Sequence, residues 1–203
     1  VGLLDSEGNR VEPNHIEDLR AEYDPKLAAE ELKAGDETDR VVHVGGRVVF
    51  VRNTGKLCFA TLQGGTEGKR IQAMLSLAEV GEESLAEWKS LVDLGDHVFV
   101  TGRVIVSRRG ELSIMVTDWK MASKALRPMP VLHKDLNEET RVRQRYLDLM
   151  VREEARELVK KRALITRTVR RVLEDHGYIE VETPVLQLVH GGATARPFRT
   201  HLN

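Results

Sequence analysis

At 203 residues, 41% hydrophobic and 31% charged, the chain exceeds the usual size of one domain and can bury a core, so one large or two small domains are expected. No apolar run approaches the roughly 20 residues that a bilayer-spanning helix needs, and no basic-then-apolar signal peptide opens the chain. Its one cysteine, Cys58, cannot form an internal disulfide and fits a reducing compartment, so a cytoplasmic setting is expected and Cys58 reads as a small buried hydrophobe.

The net charge of −1 hides an asymmetry. Residues 1–40 carry 5 basic and 12 acidic side chains, whereas residues 41–203 carry 26 and 20. The first 40 residues therefore read as an acidic leader, partly disordered, with one helical candidate in IEDLRAEYDPKLAAEELKAG. A mildly basic body after it favours a polyanionic partner only weakly.

From residue 41 the pattern turns to strands. VVHVGGRVVFVR is β-branched, and Gly45-Gly46 suggests a bulge or sharp bend. LCFATLQ follows the turn NTGK, and KRIQAML follows the loop GGTEG. SLAEVGEESLAEWKSLVDLG has helical spacing at Leu85, Trp88 and Leu91–Val92, ending near Gly95. HVFVTGRVIVSR and ELSIMVTDWKMA complete the set across the turn RRG. Five strands with a helix between the third and fourth is the order of an OB-fold, a five-stranded Greek-key β-barrel, here over residues 41–123.

KALRPMPVLHK, with two prolines, reads as a linker over residues 124–137. The remainder, residues 138–203, is mainly helical. NEETRVRQRYLDLMV has a capping pattern at Asn137 and a Leu147/Met150 face. A longer helix from about Glu153 to His176 carries Leu158, Ile165, Val169, Val172 and Leu173 at helical spacing, with Gly177 suited to the position after its end. YIEVETPVL then reads as a short strand stopped by Pro184.

OB barrels commonly offer one sheet face to single-stranded nucleic acid through stacking rings and a few hydrogen-bonding side chains. Phe59, Gln72 and Glu111 are candidates for that face. Taken alone, Phe59 reads more readily as a core residue, and the polar pair as plain surface. Residues 141–171 hold 11 Lys and Arg against 4 Asp and Glu. Those arginines either meet phosphates or pair with carboxylates of their own chain. Seven scattered histidines make no metal-ligand spacing, and no GxSxG or phosphate-binding glycine loop is present.

At GYIEVETPVL, behind a long helix, the chain resembles motif 1 of the class II aminoacyl-tRNA synthetases. The barrel before it resembles the anticodon-binding domain of the aspartyl, asparaginyl and lysyl subgroup. GKLCFATLQ with RIQ, RGELSI, KALRPMP with RVRQRYLDLMV, and GGATARPFRTH are similar to the lysyl-tRNA synthetases in particular. The resemblance covers about residues 41–203.

That resemblance implies roles that composition cannot supply. Phe59 would stack on the central uridine of the lysine tRNA anticodon, with Gln72 and Glu111 bonding its edge. Pro184 would lie in a homodimer interface, near the partner's active site. Gly191, Gly192 and Ala193 would sit at the lysine pocket, where small residues let backbone groups approach the substrate. The enzyme of this family joins lysine to tRNA with ATP and Mg²⁺, whose main ligands belong to motifs beyond Asn203. The 203 residues are thus expected to be its tRNA-binding front part, without metal or catalytic ligands and inactive alone. Leu186, Leu188 and Val189 are expected to be uncovered, with poor order after about residue 177. The sequence departs from the family in its acidic leader and in LQGG where LQD is common. Two other readings stay open: a stand-alone binder of the anticodon arm, and a synthetase-like domain of a larger membrane enzyme that lysinylates phosphatidylglycerol.

Overall fold

A computed structural model describes residues 3–4, 10–65, 67–130, 136–188, 196 and 198–201. It divides into two compact units, residues 1–156 and 157–203. The first begins with a small antiparallel ribbon, β1 (Leu3–Leu4) with β2 (Arg10–Val11), and a helix, α1 (Ile16–Ala28).

Then come the strands of the barrel: β3 (Glu37–Asn53), β4 (Leu57–Gly64) and β5 (Lys69–Ser76). Two helices follow, α2 (Leu77–Val80) and α3 (Glu82–Leu91), and two more strands, β6 (His97–Val106) and β7 (Leu112–Ser123). The five long strands close in a ring in the order β3-β4-β5-β7-β6. Among these five strands, only β5 and β7 pair in parallel.

Alternation along each strand sends every second side chain inward. Val42, Val44 and Val48 of β3 meet Cys58, Ala60 and Leu62 of β4, and β5, β6 and β7 add a similar apolar set. Leu85 and Trp88 of α3 join this core, where Trp88 meets the Trp119 ring edge to face, centroids 5.0 Å apart. Cys58 is fully buried, and burial pushes its thiol pKa up, so it packs rather than reacts.

Three points differ from the sequence expectation. First, α1 is part of the packing: Ile16, Leu19 and Tyr23 are buried in the barrel's core cluster. Burying Ile16 and Leu19 alone is worth roughly 3–6 kcal/mol, comparable with the net stability of a small domain. Asn14 anchors the helix start, its backbone N–H donating to His43 O at 2.6 Å and its side chain accepting from His43 N at 3.0 Å.

Second, Gly45 and Gly46 do not mark a bulge. Their register with Phe99 and Val98 of β6 is unbroken, and the shifts along β3 lie between Glu37 and Val41 against β6 and between Val48 and Phe50 against β4. They allow close approach instead: a Cβ on Gly45 would stand 2.6 Å from the Phe99 ring, and one on Gly46 2.9 Å from Leu62 Cβ. Gly102 does sit opposite a bulge, formed by the extra residue Thr117 of β7, and a Cβ on it would fall 2.0 Å from Met115 O.

Third, YIEVETPVL forms no strand. Among the described residues no strand pairs with it, and Ile179 and Val181 are exposed. A strand exists only through its ladder, so alternation without a partner leaves irregular backbone.

The segment after the barrel is tied to it by one buried carboxylate. Asp96 accepts from the backbone N–H groups of Asp93 and Ala125, each at 2.7 Å, and from the Lys124 ammonium at 2.8 Å. Burial alone would raise its pKa. The Asp93 N–H, Lys124 and the Ala125 N–H more than offset that and hold it below the usual value.

Beyond it, α4 (Glu138–Arg143) is capped by Asn137, whose side chain accepts from Thr140 N at 2.7 Å. Gln144 breaks the chain into a second helix, α5 (Arg145–Val151). The long α6 (Glu153–Asp175) ends in a Schellman cap. There Gly177 N bonds Glu174 O, Tyr178 N bonds Leu173 O, and Gly177 has the left-handed φ of +85° that this cap needs.

Candidate nucleic-acid interface

The pleat that buries Cys58 and Ala60 turns Phe59 and Thr61 to the outer face of the barrel. Register extends them into two rows across four strands. Phe50, Thr61, Gln72 and Ser113 form one row; Arg52, Phe59, Met74 and Met115 form the other. All of them but the fully buried Ser113 floor an open groove of about 940 Å³, and Arg20, Arg70, Arg108, Arg109 and Glu111 line it as well. An aromatic and thioether floor with arginines around it suits stacked bases with phosphates beside them.

The sequence candidates converge here. Phe59 is half-buried, and the Arg52 guanidinium lies 4.8 Å from its ring centroid, a cation–π contact that steadies the ring. Gln72 donates through Nε2 to Ser113 Oγ at 2.9 Å. Ser113 is fully buried and donates its hydroxyl hydrogen to the backbone oxygen of Glu111 at 2.8 Å. That commitment settles the Gln72 amide: Ser113 has no second hydrogen to give, so Gln72 must present its NH₂. One amide hydrogen of Gln72 then remains for a ligand.

Glu111 is positioned from three sides. Its backbone N–H donates to Ser107 Oγ at 3.1 Å, and its backbone oxygen accepts from Ser107 N at 2.9 Å as well as from Ser113. Its carboxylate Oε1 accepts from Arg20 of α1 at 2.7 Å. Within one groove the chain thus presents an amide donor, a carboxylate acceptor and an aromatic ring.

Sequence reasoning missed Arg20, Arg52 and Ser113. Arg20 had a legible signal, since Ile16, Leu19 and Tyr23 recur at helical spacing and place Arg20 on the rim of that face. The acidic composition of the leader drew attention away from it. Ser113 carried no signal, because only the β5–β7 pairing sets it beside Gln72.

The other candidates fall elsewhere. In α4 and α5, Asp148 is fully buried and accepts from Arg145 at 2.5 Å and Arg152 at 2.9 Å, with Arg141 at 3.8 Å; Arg143 pairs with Glu139 at 2.9 Å. Those arginines therefore pair within their own chain. Leu158, Ile165, Val169, Val172 and Leu173 of α6 are 45–64% exposed. Pro184, Leu186 and Leu188 are exposed. Gly191, Gly192 and Ala193, with Val189, lie outside the described residues. Among the described residues no three His, Cys, Asp or Glu side chains stand together as a metal site. Nor is any helix among them long and apolar enough to cross a membrane.

Residues 42–122 match the OB-fold nucleic acid binding domain family, and residues 137–203 match the class II tRNA synthetases (D, K and N). The two matches follow one another along the chain, an OB barrel and then the start of a class II synthetase domain. Lysine–tRNA ligases are among the proteins it is similar to. It is 61% identical over 188 residues to the lysine–tRNA ligase of Kineococcus radiotolerans, covering 93% of this chain and 36% of that protein. It is 54% identical over 198 residues to the lysine–tRNA ligase of Mycolicibacterium gilvum, covering 98% and 39%. The lysylphosphatidylglycerol biosynthesis bifunctional protein LysX of Mycobacterium avium is 44% identical over 176 residues, covering 86% and 15%. The chain spans rather more than a third of the length of the two ligases.

Proposed function

We propose that the chain is the RNA-reading front part of a lysine–tRNA ligase, which joins lysine to its tRNA using ATP and Mg²⁺. In this reading residues 41–123 bind the anticodon, residues 124–137 connect, and residues 138–203 begin the catalytic domain. Gly191, Gly192 and Ala193 belong to its lysine pocket, and Pro184 and the exposed stripe of α6 to a homodimer interface. The higher identity to the ligases, 54–61% against 44%, favours this over a lipid-lysinylating parent.

The observation that carries the proposal is the Gln72–Ser113–Glu111 chain beside Phe59. A uridine edge offers an acceptor at O4 and a donor at N3–H. Gln72 has an amide hydrogen for O4, and Glu111 has a carboxylate for N3–H. A cytidine edge reverses both groups, facing a donor with a donor and an acceptor with an acceptor. Phe59 stacks on either base and so adds affinity without choice.

The test is the affinity of the chain for anticodon stem-loops that differ only at the central base. Uridine is expected to bind at least tenfold tighter than cytidine, roughly the 1–3 kcal/mol of one mispaired edge. Equal affinities would remove the proposal.

A further inference from the structure

We infer that Arg20 of the leader helix is a positioning residue for base reading: it holds the Glu111 carboxylate in the orientation that selects the central base. This rests on the proposed reading of the groove.

All three nitrogens of the Arg20 guanidinium are committed, each to a different part of the barrel unit. Nε donates to Arg70 O at the start of β5 at 2.8 Å. One terminal nitrogen donates to Asp24 one turn along α1 at 3.2 Å, and the other to Glu111 Oε1 at 2.7 Å. Buried Leu19 and Tyr23 fix the helix on either side of it, and the Arg20 side chain is only 21% exposed. The rigid fork is therefore set before any ligand arrives.

Glu111 lacks such restraint on its own. Its side chain is 51% exposed, and Arg20 is its one ion-pair partner among the described residues. An unanchored glutamate would sample several rotamers and lose them on binding. With Oε1 held, Oε2 is left at a defined place as the acceptor for N3–H. The pairing also neutralises a carboxylate that would otherwise repel the RNA backbone. The acidic leader thereby contributes, through α1, to selectivity in the groove.

The experiment compares wild type, Arg20→Ala, Arg20→Lys, Glu111→Gln and the double variant Arg20→Ala/Glu111→Gln as the full 203-residue chain. Each is titrated with the uridine and cytidine stem-loops. Arg20→Ala is expected to cut the uridine preference about tenfold, the scale of one hydrogen bond to a charged group. Arg20→Lys keeps the charge without the fork, and is expected to recover overall affinity but not the preference. The double variant is expected to match Glu111→Gln, because Arg20 acts through Glu111. If Arg20→Ala lowers the folded fraction, Arg20→Gln, which keeps a donor for Arg70 O, carries the same comparison. An unchanged preference in Arg20→Ala, full recovery of it by lysine, or additive losses in the double variant would each overturn the inference. If Glu111→Gln itself keeps the preference, the groove reading fails first, so the two failures are distinguishable.

Discussion

Phe59→Ala is the most direct perturbation of the groove, because it removes the ring and leaves the polar readers in place. Stacking of one base on a side-chain ring is worth about 1–3 kcal/mol. The Arg52 guanidinium over the same ring adds a contact of about 0.5–1 kcal/mol at an exposed site, part of which is lost with it. A central value of about 2 kcal/mol corresponds to a roughly thirtyfold rise in Kd. Phe59 is half-buried and outside the core cluster, so the fold loses only about 1 kcal/mol, half of a full burial. The assay titrates wild type and Phe59→Ala with a stem-loop carrying a central uridine and with one abasic at that position. Wild type should distinguish the two by about thirtyfold, and Phe59→Ala should bind both as weakly as wild type binds the abasic loop. The slope of affinity against salt should stay the same, since no cation is removed. A Phe59→Ala variant that weakens both loops equally would refute stacking as the role of the ring.

Two further predictions concern the frame that holds the groove. Asp96→Asn leaves one of the donors around that position unmatched, and should cost about 3 kcal/mol in urea unfolding at neutral pH. Because the folded pKa of Asp96 lies below its ordinary 3.8, its contribution is fully present above that value and is lost as pH falls through the lower, folded one. The gap between wild type and Asp96→Asn should therefore narrow in strong acid, and a gap that stays constant with pH would count against this account. Gly102→Ala places a methyl 2.0 Å from the Met115 carbonyl oxygen, where only backbone can yield, and should cost about 3 kcal/mol. A loss well under 1 kcal/mol on thermal unfolding would show that the β7 bulge opposite Gly102 relaxes freely.

The barrel was legible in the sequence because each of its five strands carries its own alternation and its own turn residues. Local pattern suffices where burial repeats every second residue, and the ring order β3-β4-β5-β7-β6 follows the OB-fold arrangement those strands suggest. The same local reading failed at YIEVETPVL, since alternation states which side chains share a face but not whether a partner strand lies beside them. It also failed for Gly45 and Gly46, whose reason is a ring and a leucine far away in sequence.

For the groove, the sequence by itself determined that Phe59 and Thr61 share one face of their strand, opposite Cys58 and Ala60, since period two decides that within a strand. It also determined that α1 has an apolar side, at Ile16, Leu19 and Tyr23. Only the tertiary structure decided that this side docks on the barrel and brings Arg20 to Glu111, 91 residues away. Only the β5–β7 pairing set Ser113 beside Gln72 and so fixed which way the amide points. Hydrogen-bond donors and acceptors have direction, and direction across strands is a property of register, which no single stretch of chain contains.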